Sequence, residues 1–501
     1  MQTSDFPGTI PELLAWRASA GAQAAWLFFE GDSWTLGDVQ GQVDRVAVGL
    51  AERGVVHGDR VTLLAGNRPE TLFAWLGANQ LGAIASPINH ALKRPEIAGL
   101  LRLTTPRVVV ASDEHVPLAQ AACAELDEAS RPVVVTPAAL TSAGKGAPRA
   151  VVKPDDVAVL IATSGTTGAP KAVMQTHRSY TLTAEAFPSW LGGLDASDRV
   201  LAALPLFHIN AQAYSTMGAL GSGAGLAILP KFSASRFWQD AQRLGATQLN
   251  AVGAMIHILL KAEPGPADRA HRVRVVYAAL ALPEAQHRAF EERFGLKMLV
   301  GYGMSETTFG TVWPHAEPAR YGTMGRLRQH PRLGVISEGR VVRDDGSDAD
   351  DGQVGELWLS SPATTPGYWG DPGQTAAAIV DGWLHTGDLV RRDADGFHTF
   401  VTRKKEVIRR RGENVSAAEI ENALLAHPSV GEAAAVGVPS ELGEDEIVAY
   451  VAPRPGATID TEELRAFVRE RLADFKVPST VHVRDSLPRT PTERVAKHLL
   501  R

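Results

Sequence analysis

Cysteine is almost missing from this 501-residue chain: Cys123 stands alone. No disulfide can form within the chain and no thiolate cluster can hold a metal, a usage that points to a reducing compartment. A positive surplus is missing as well. Lys and Arg number 50 against 56 Asp and Glu, a net charge of −6, which argues against a nucleic-acid surface or a polybasic membrane contact. No apolar run is long enough to span a bilayer. The opening "MQTSDFPGTIPELLAW" carries no basic segment leading into an apolar core, so no secretory leader is expected. These absences predict a soluble cytoplasmic protein whose partner is a small molecule; a lipid-like substrate would add a peripheral membrane contact.

What is present is globular. Apolar residues make 45% and charged residues 21%, near the averages for soluble domains, and the length exceeds what one core usually holds. Short apolar runs alternate with amphipathic stretches through most of the first 400 residues. Arg60 to Gly66 reads as a strand, the segment from Pro69 as a helix, and "AIASPIN" as the next strand. "VAVLIAT", "VRVVYAAL" and "LKMLVGYG" repeat the theme, the pattern of parallel sheets whose strands run into ligand-binding loops. After "GELWLSSP" turn residues and alternating runs such as "HTFVTR" suggest a smaller β layer. The last hundred residues read helix ("AAEIENALLAH"), strand, strand, helix ("TEELRAFVRERLADF"), strand. The predicted division is 1–402 and 403–501, with a loose Ala/Gly/Pro linker from Thr141 to Ala150.

The most informative stretch is "TSGTTGAPK", Thr163 to Lys171, directly after a strand. Gly165 and Gly168 free backbone N–H groups to turn toward an anion; Thr163, Ser164, Thr166 and Thr167 add hydroxyl donors, and Lys171 adds a cation. This is phosphate chemistry without the Lys-Ser/Thr pair and helix of the common nucleotide loop. Its plainer alternative is an ordinary Ser/Thr/Gly surface loop, since a lone Gly-rich loop is weak evidence.

Together with "ALPLFHIN" around His208, "GYGMSETT" (Gly301 to Thr308), "GELWLSSP", "PGYWGDP", "DGWLHTGDL" and "TRKKEVIRRRGENVSAAEIE", the loop resembles the adenylate-forming superfamily over nearly the whole chain. The variants "YAALALP" and "LNAVGAMIHILL" are similar to acyl-CoA ligases near the crotonobetaine/carnitine branch. The resemblance implies an α/β fold: a large N-terminal domain of two α/β subdomains plus a β layer, and a small mobile α+β C-terminal domain. It implies activation of a carboxylic acid by ATP, with Mg²⁺, followed by transfer to CoA. A homodimer is an assembly compatible with it.

By that resemblance, Thr163, Ser164, Gly165, Thr166, Thr167, Gly168 and Lys171 hold phosphates. Glu306, with Thr163, holds Mg²⁺, and Ser305 meets the α-phosphate. Tyr302 and Gly303, with Ala279 and Leu280 where relatives usually carry Gly-Gly or Gly-Ala, flank the adenine. Asp388 and Arg403 take the ribose, and Lys405 is the hinge. His208, Asn210, Ala211, Gly253, Ala254 and Gly303 are the acyl-pocket candidates, and Gly412 of "RRRGEN" lines the thiol path. Each residue has a plainer alternative: Glu306 a helix N-cap, Asp388 a turn residue, Tyr302 and His208 core packing, and "RRRGEN" a solvated turn.

The tail "LPRTPTERVAKHLLR" departs from the resemblance. Where relatives end in a Gly-Lys pair whose lysine bridges carboxylate and α-phosphate, this chain has Glu493-Arg494. A planar fork replaces a compact ammonium. Three readings follow: a ligase in which Arg494 substitutes for lysine, an adenylating enzyme with a non-CoA acceptor, or an impaired nucleotide- or acyl-binding homologue. Lys171, Glu306, Asp388 and Arg403 together argue against the third.

Overall fold

The structure is a computed structural model, and it describes residues 6–141, 148–164, 170–279, 281–410, 413–439, 445–472, 474–490 and 494–500. The chain divides into two compact units, 1–339 with 359–384, and 340–358 with 385–501.

In the first unit the described residues form two large sheets. One has six strands in the order Val133–Val135, Val108–Ala111, Arg60–Leu64, Ile84–Pro87, Val157–Ser164, Pro170–Thr176. Its first five are parallel and the last turns back antiparallel. The other has nine strands, with a parallel centre that includes Arg199–Ala202, Gln248–Ala251, Val275–Ala278 and Lys297–Met304. Antiparallel strands close both of its edges. Buried parallel strands need apolar residues on both faces, and Val275–Ala278 and Gln248–Ala251 are buried throughout.

The helix predicted from Pro69 runs Pro69–Gln80 with Pro at its first turn. It packs closely: a Cβ at Gly77 would lie 2.6 Å from Val46, on the neighbouring helix Leu36–Ala51, which begins with a Thr35/Asp38 capping box. Asn79, fully buried within the helix, donates to the carbonyls of Ala83 and Ala158, and so ties it to strand Val157–Ser164.

The second unit carries most of a five-stranded sheet that includes Val354–Ser360, Trp383–Arg392 and His398–Arg403. A hairpin follows, Val407–Arg410 with Glu413–Ser416. Beyond it lies a three-stranded sheet, Val430–Pro439 antiparallel to Asp445–Pro453 and Thr480–Val483 parallel to the latter. Helices Ala417–Leu425 and Thr461–Arg469 cover it, and Ile420, Leu424, Leu464 and Val468 contribute to one core. The second helix ends six residues short of Phe475, where its reading from sequence ran out to; Asp474–Lys476 instead forms a tight turn ahead of Pro478, which disfavours helix in the residue before it. Sheets with helices in a large N-terminal and a small C-terminal body are the fold class expected from the sequence.

Candidate active site

Thr163 and Lys171 face each other across the antiparallel pair Val157–Ser164 and Pro170–Thr176. The strands that flank residues 165–169 therefore run antiparallel. Gly165, Thr166, Thr167 and Gly168 lie outside the described residues, as does the side chain of Ser164. Strand pairing fixes Thr163 and Lys171 at the two roots of the loop.

A second hairpin supplies the carboxylate. Met304 pairs with Thr307 across strands Lys297–Met304 and Thr307–Val312, so Ser305 and Glu306 are the two residues at its tip. Glu306 does not cap a helix. Its Oε1 accepts from the Tyr368 hydroxyl at 2.9 Å, and the Lys171 ammonium lies 5.1 Å from the centre of the Tyr368 ring. Burial and the Glu306 carboxylate push the Tyr368 phenol above its ordinary range, so it stays a donor to Glu306.

The two hairpins are bound to each other. Gln175 Nε2 donates to the Ser305 carbonyl at 2.5 Å and its Oε1 accepts from Ser179 at 2.6 Å. The Thr365 N–H donates to the Glu306 carbonyl at 2.7 Å, while its hydroxyl donates to Met174 O at 2.6 Å. Thr365, Tyr368 and Gln175 thus hold a cation, a carboxylate and the loop roots in one frame. None was singled out in sequence. Tyr368 falls in the quoted motif "PGYWGDP", which was the available signal; Gln175 had none.

Among the remaining first-unit candidates, Tyr302 is half-buried and its hydroxyl approaches the Met304 sulfur at 3.8 Å. Gly303 is exposed. Ala279 is exposed, its N–H bonded to Ala251 O at 3.1 Å; Leu280 lies outside the described residues. His208 is half-buried against Phe207, ring centres 4.5 Å apart. Asn210 accepts from Asn250 at 2.9 Å. Ala211 is fully buried, while Gly253 and Ala254 open the helix Gly253–Lys261 after strand Gln248–Ala251.

In the second unit Asp388 and Arg403 are directly opposite in the pair Trp383–Arg392 and His398–Arg403. Arg403 Nε stands 3.1 Å from Asp388 Oδ1, and Asp388 is 1% exposed. Gly387 precedes it with φ +70, the left-handed region glycine tolerates, and its N–H donates to Glu356 at 3.0 Å. Lys405 lies in the turn Lys404–Glu406, and its side chain, like the whole of Gly412, is outside the described residues. Arg494 is exposed; its backbone exchanges bonds with Thr490, N to Oγ1 at 3.2 Å and O from Thr490 N at 2.7 Å. Glu493 is outside the described residues. Lys497 faces elsewhere, 2.7 Å from Glu421 and 2.9 Å from Glu406.

The AMP-binding enzyme family model matches residues 14–369, and the AMP-binding enzyme C-terminal domain matches 419–494. A crotonobetaine/carnitine–CoA ligase of Escherichia coli O139:H28 is 34% identical, covering 92% of this chain and 91% of its own. The anthranilate CoA ligase AuaEII, solved with anthranoyl-AMP, superposes with TM-score 0.89 at 25% identity over 100% of this chain and 98% of that one. An o-succinylbenzoate coenzyme A synthetase of Bacillus subtilis with ATP and magnesium gives 0.85 at 25%, over 97% and 98%. The chain belongs to the AMP-binding enzyme family, as an AMP-forming acid–thiol ligase. Among the described residues no helix is long and apolar enough to cross a membrane.

Proposed function

We propose that the protein couples ATP to a carboxylic acid, forming acyl-AMP and pyrophosphate, and passes the acyl group to CoA in the cytoplasm. The observation that carries this reading is the Lys171–Tyr368–Glu306 constellation at the loop roots. As pyrophosphate leaves, negative charge grows on the phosphate oxygens, and a cation and donors fixed beforehand stabilise it without reorganising. Lys171, Thr163 and the loop between them hold the β- and γ-phosphates, Ser305 meets the α-phosphate, Tyr302 flanks the purine, and Asp388 with Arg403 takes the ribose hydroxyls.

Among the described residues no group of three or more metal-ligating side chains occurs. That fits magnesium, which takes one or two carboxylates together with substrate phosphates and water; Glu306, with one oxygen anchored by Tyr368, and Thr163 would hold it. When bound, it neutralises phosphate charge. Arg494 lies between carboxylate and α-phosphate in the adenylating arrangement, Lys405 is the pivot of residues 403–501, and Gly412 lines the thiol path. The Glu493-Arg494 pair favours a second reading in which the acceptor is an amine or a carrier thiol.

Carboxylate-dependent pyrophosphate release without CoA, over a panel of acids, tests the first half. No release with any acid rejects adenylation. A thioester after CoA is added establishes the acceptor, and its absence selects the second reading. Glu306→Gln should lower release by about 10²-fold or more. Arg494→Lys should raise it; an unchanged or abolished rate rejects the role given to Arg494.

A further inference from the structure

Arg199 and Arg272 are neighbouring cations with no carboxylate assigned to either among the described residues. Arg199 opens the strand Arg199–Ala202 of the nine-strand sheet. Its guanidinium carbon stands 3.5 Å from the centre of the Phe28 ring, and Nη1 donates to the Leu244 carbonyl at 2.6 Å. Two glycines leave room for it: a Cβ at Gly225 would lie 3.5 Å from Nε, and one at Gly245, whose φ is +65, would lie 3.2 Å from Nη1. The group is therefore fixed with one edge unspent. Among the described residues nothing accepts a hydrogen bond from Nε or Nη2. Arg272 is exposed and likewise bonds to no described side chain, while His271 next to it stacks on Trp238 with ring centres 4.3 Å apart and anchors the backbone there. Burial and the Arg272 charge together pull the Arg199 guanidinium below its ordinary pKa, as like charges drawn close do.

Both arginines line a cavity of about 110 Å³, together with Ser197 and Asp198, room for a few waters or one small oxyanion. Asp198 has its charge committed elsewhere. Its Oδ2 accepts from Arg274 at 2.7 Å and from the Asp195 N–H at 3.2 Å, and its Oδ1 from the Thr247 hydroxyl at 2.8 Å. The exposed Asp195 takes the Ser197 hydroxyl at 2.6 Å. Arg199, Arg272 and Arg274 still outnumber these two acids. The place is remote from the acid-activating residues: the register Val200–Gln248–Val275–Lys297 crosses the sheet, so the cavity is level with the start of strand Lys297–Met304. Ser305 and Glu306 follow its other end, roughly 25 Å along the strand.

We propose that this cavity is a binding site for a phosphate group, free or at the end of a small metabolite, taken by the Nε and Nη2 edge of Arg199 and by Arg272. A planar fork matches two phosphate oxygens, and the second guanidinium favours a dianion over a carboxylate. The site is separate from acid activation and does not depend on it.

The test is titration calorimetry with inorganic phosphate at constant ionic strength, on Lys171→Gln protein so that the phosphate-loop site is weakened. One saturable site is expected. In that background Arg272→Gln should weaken it by at least about fivefold, and Arg199→Lys, which keeps a charge but loses the fork, by at least about tenfold. Should Arg199→Lys not fold, judged by its melting curve, Arg272→Gln decides alone. An alkyl phosphate that binds as tightly as the ion makes the ligand a phosphorylated metabolite, and one that binds more weakly makes it free phosphate; either upholds the site. No saturable binding, unchanged affinity in Arg272→Gln or in a folded Arg199→Lys, or acetate binding as tightly as phosphate overturns it.

Discussion

Two cations in this chain, Lys497 half-buried and Arg328 fully buried, are handled in opposite ways. Lys497, near the C-terminal end, sits between two carboxylates, Glu421 at 2.7 Å and Glu406 at 2.9 Å. Burial works against its charge, yet Glu421 and Glu406 outweigh it and hold the amine above its ordinary pKa. Arg328 has hydroxyls, a carbonyl and aromatic faces instead. The difference separates a charge matched by charges from one matched by dipoles and rings. A cation matched by carboxylates has spent its attraction within the fold and joins residues 406, 421 and 497 of the second unit. A cation matched only by dipoles and quadrupoles joins strands, helix and core through neutral partners.

The strongest way to break the comparison is to remove each cation and weigh the loss. Lys497→Met strands two carboxylates in a partly buried site and should cost about 3 kcal/mol of unfolding free energy, measured by denaturant titration. Adding Glu421→Gln should recover part of it. A third buried titratable group sharpens the contrast by staying neutral. His177 is fully buried, accepts from the Ile10 N–H at Nδ1, and its pKa is lowered by burial to about 4. Between pH 6.5 and 4 the unfolded chain takes up a proton that native His177 refuses, so stability falls on acidification through that window. The loss should approach about 3 kcal/mol, and His177→Gln should flatten that part of the pH profile. The smallest effect is expected at Arg328. Arg328→Met strands no carboxylate but takes the partner from the buried Tyr277 hydroxyl, so about 1–2 kcal/mol should be lost in the same titration. A loss at Arg328 larger than at Lys497 would reverse that ranking.

Much of the frame was legible in sequence. Arg60–Leu64, Pro69–Gln80 and Ile84–Pro87 fall where short apolar runs and an N-terminal proline placed them, because such signals act over a few residues. Thr163, Lys171, Glu306, Asp388 and Arg403 stood out equally as parts of motifs. Less visible was their mounting. Alternation around "TSGTTGAPK" did not announce that Pro170–Thr176 turns back beside Val157–Ser164, and Glu306 read alone suggested a helix cap although it is a hairpin tip. Tyr368, which links Lys171 to Glu306, depends on a loop sixty-two residues beyond the carboxylate.

The sequence by itself determined most of the strands and helices and the motifs that carry hydroxyls, a lysine and carboxylates, since local pattern and side-chain chemistry are enough for these. Only tertiary structure decided which cation meets a carboxylate and which meets aromatic rings. Trp190, Tyr214, Tyr277 and Arg328 come from four separate elements, and an electrostatic environment is set by distances in space that spacing along the chain does not encode.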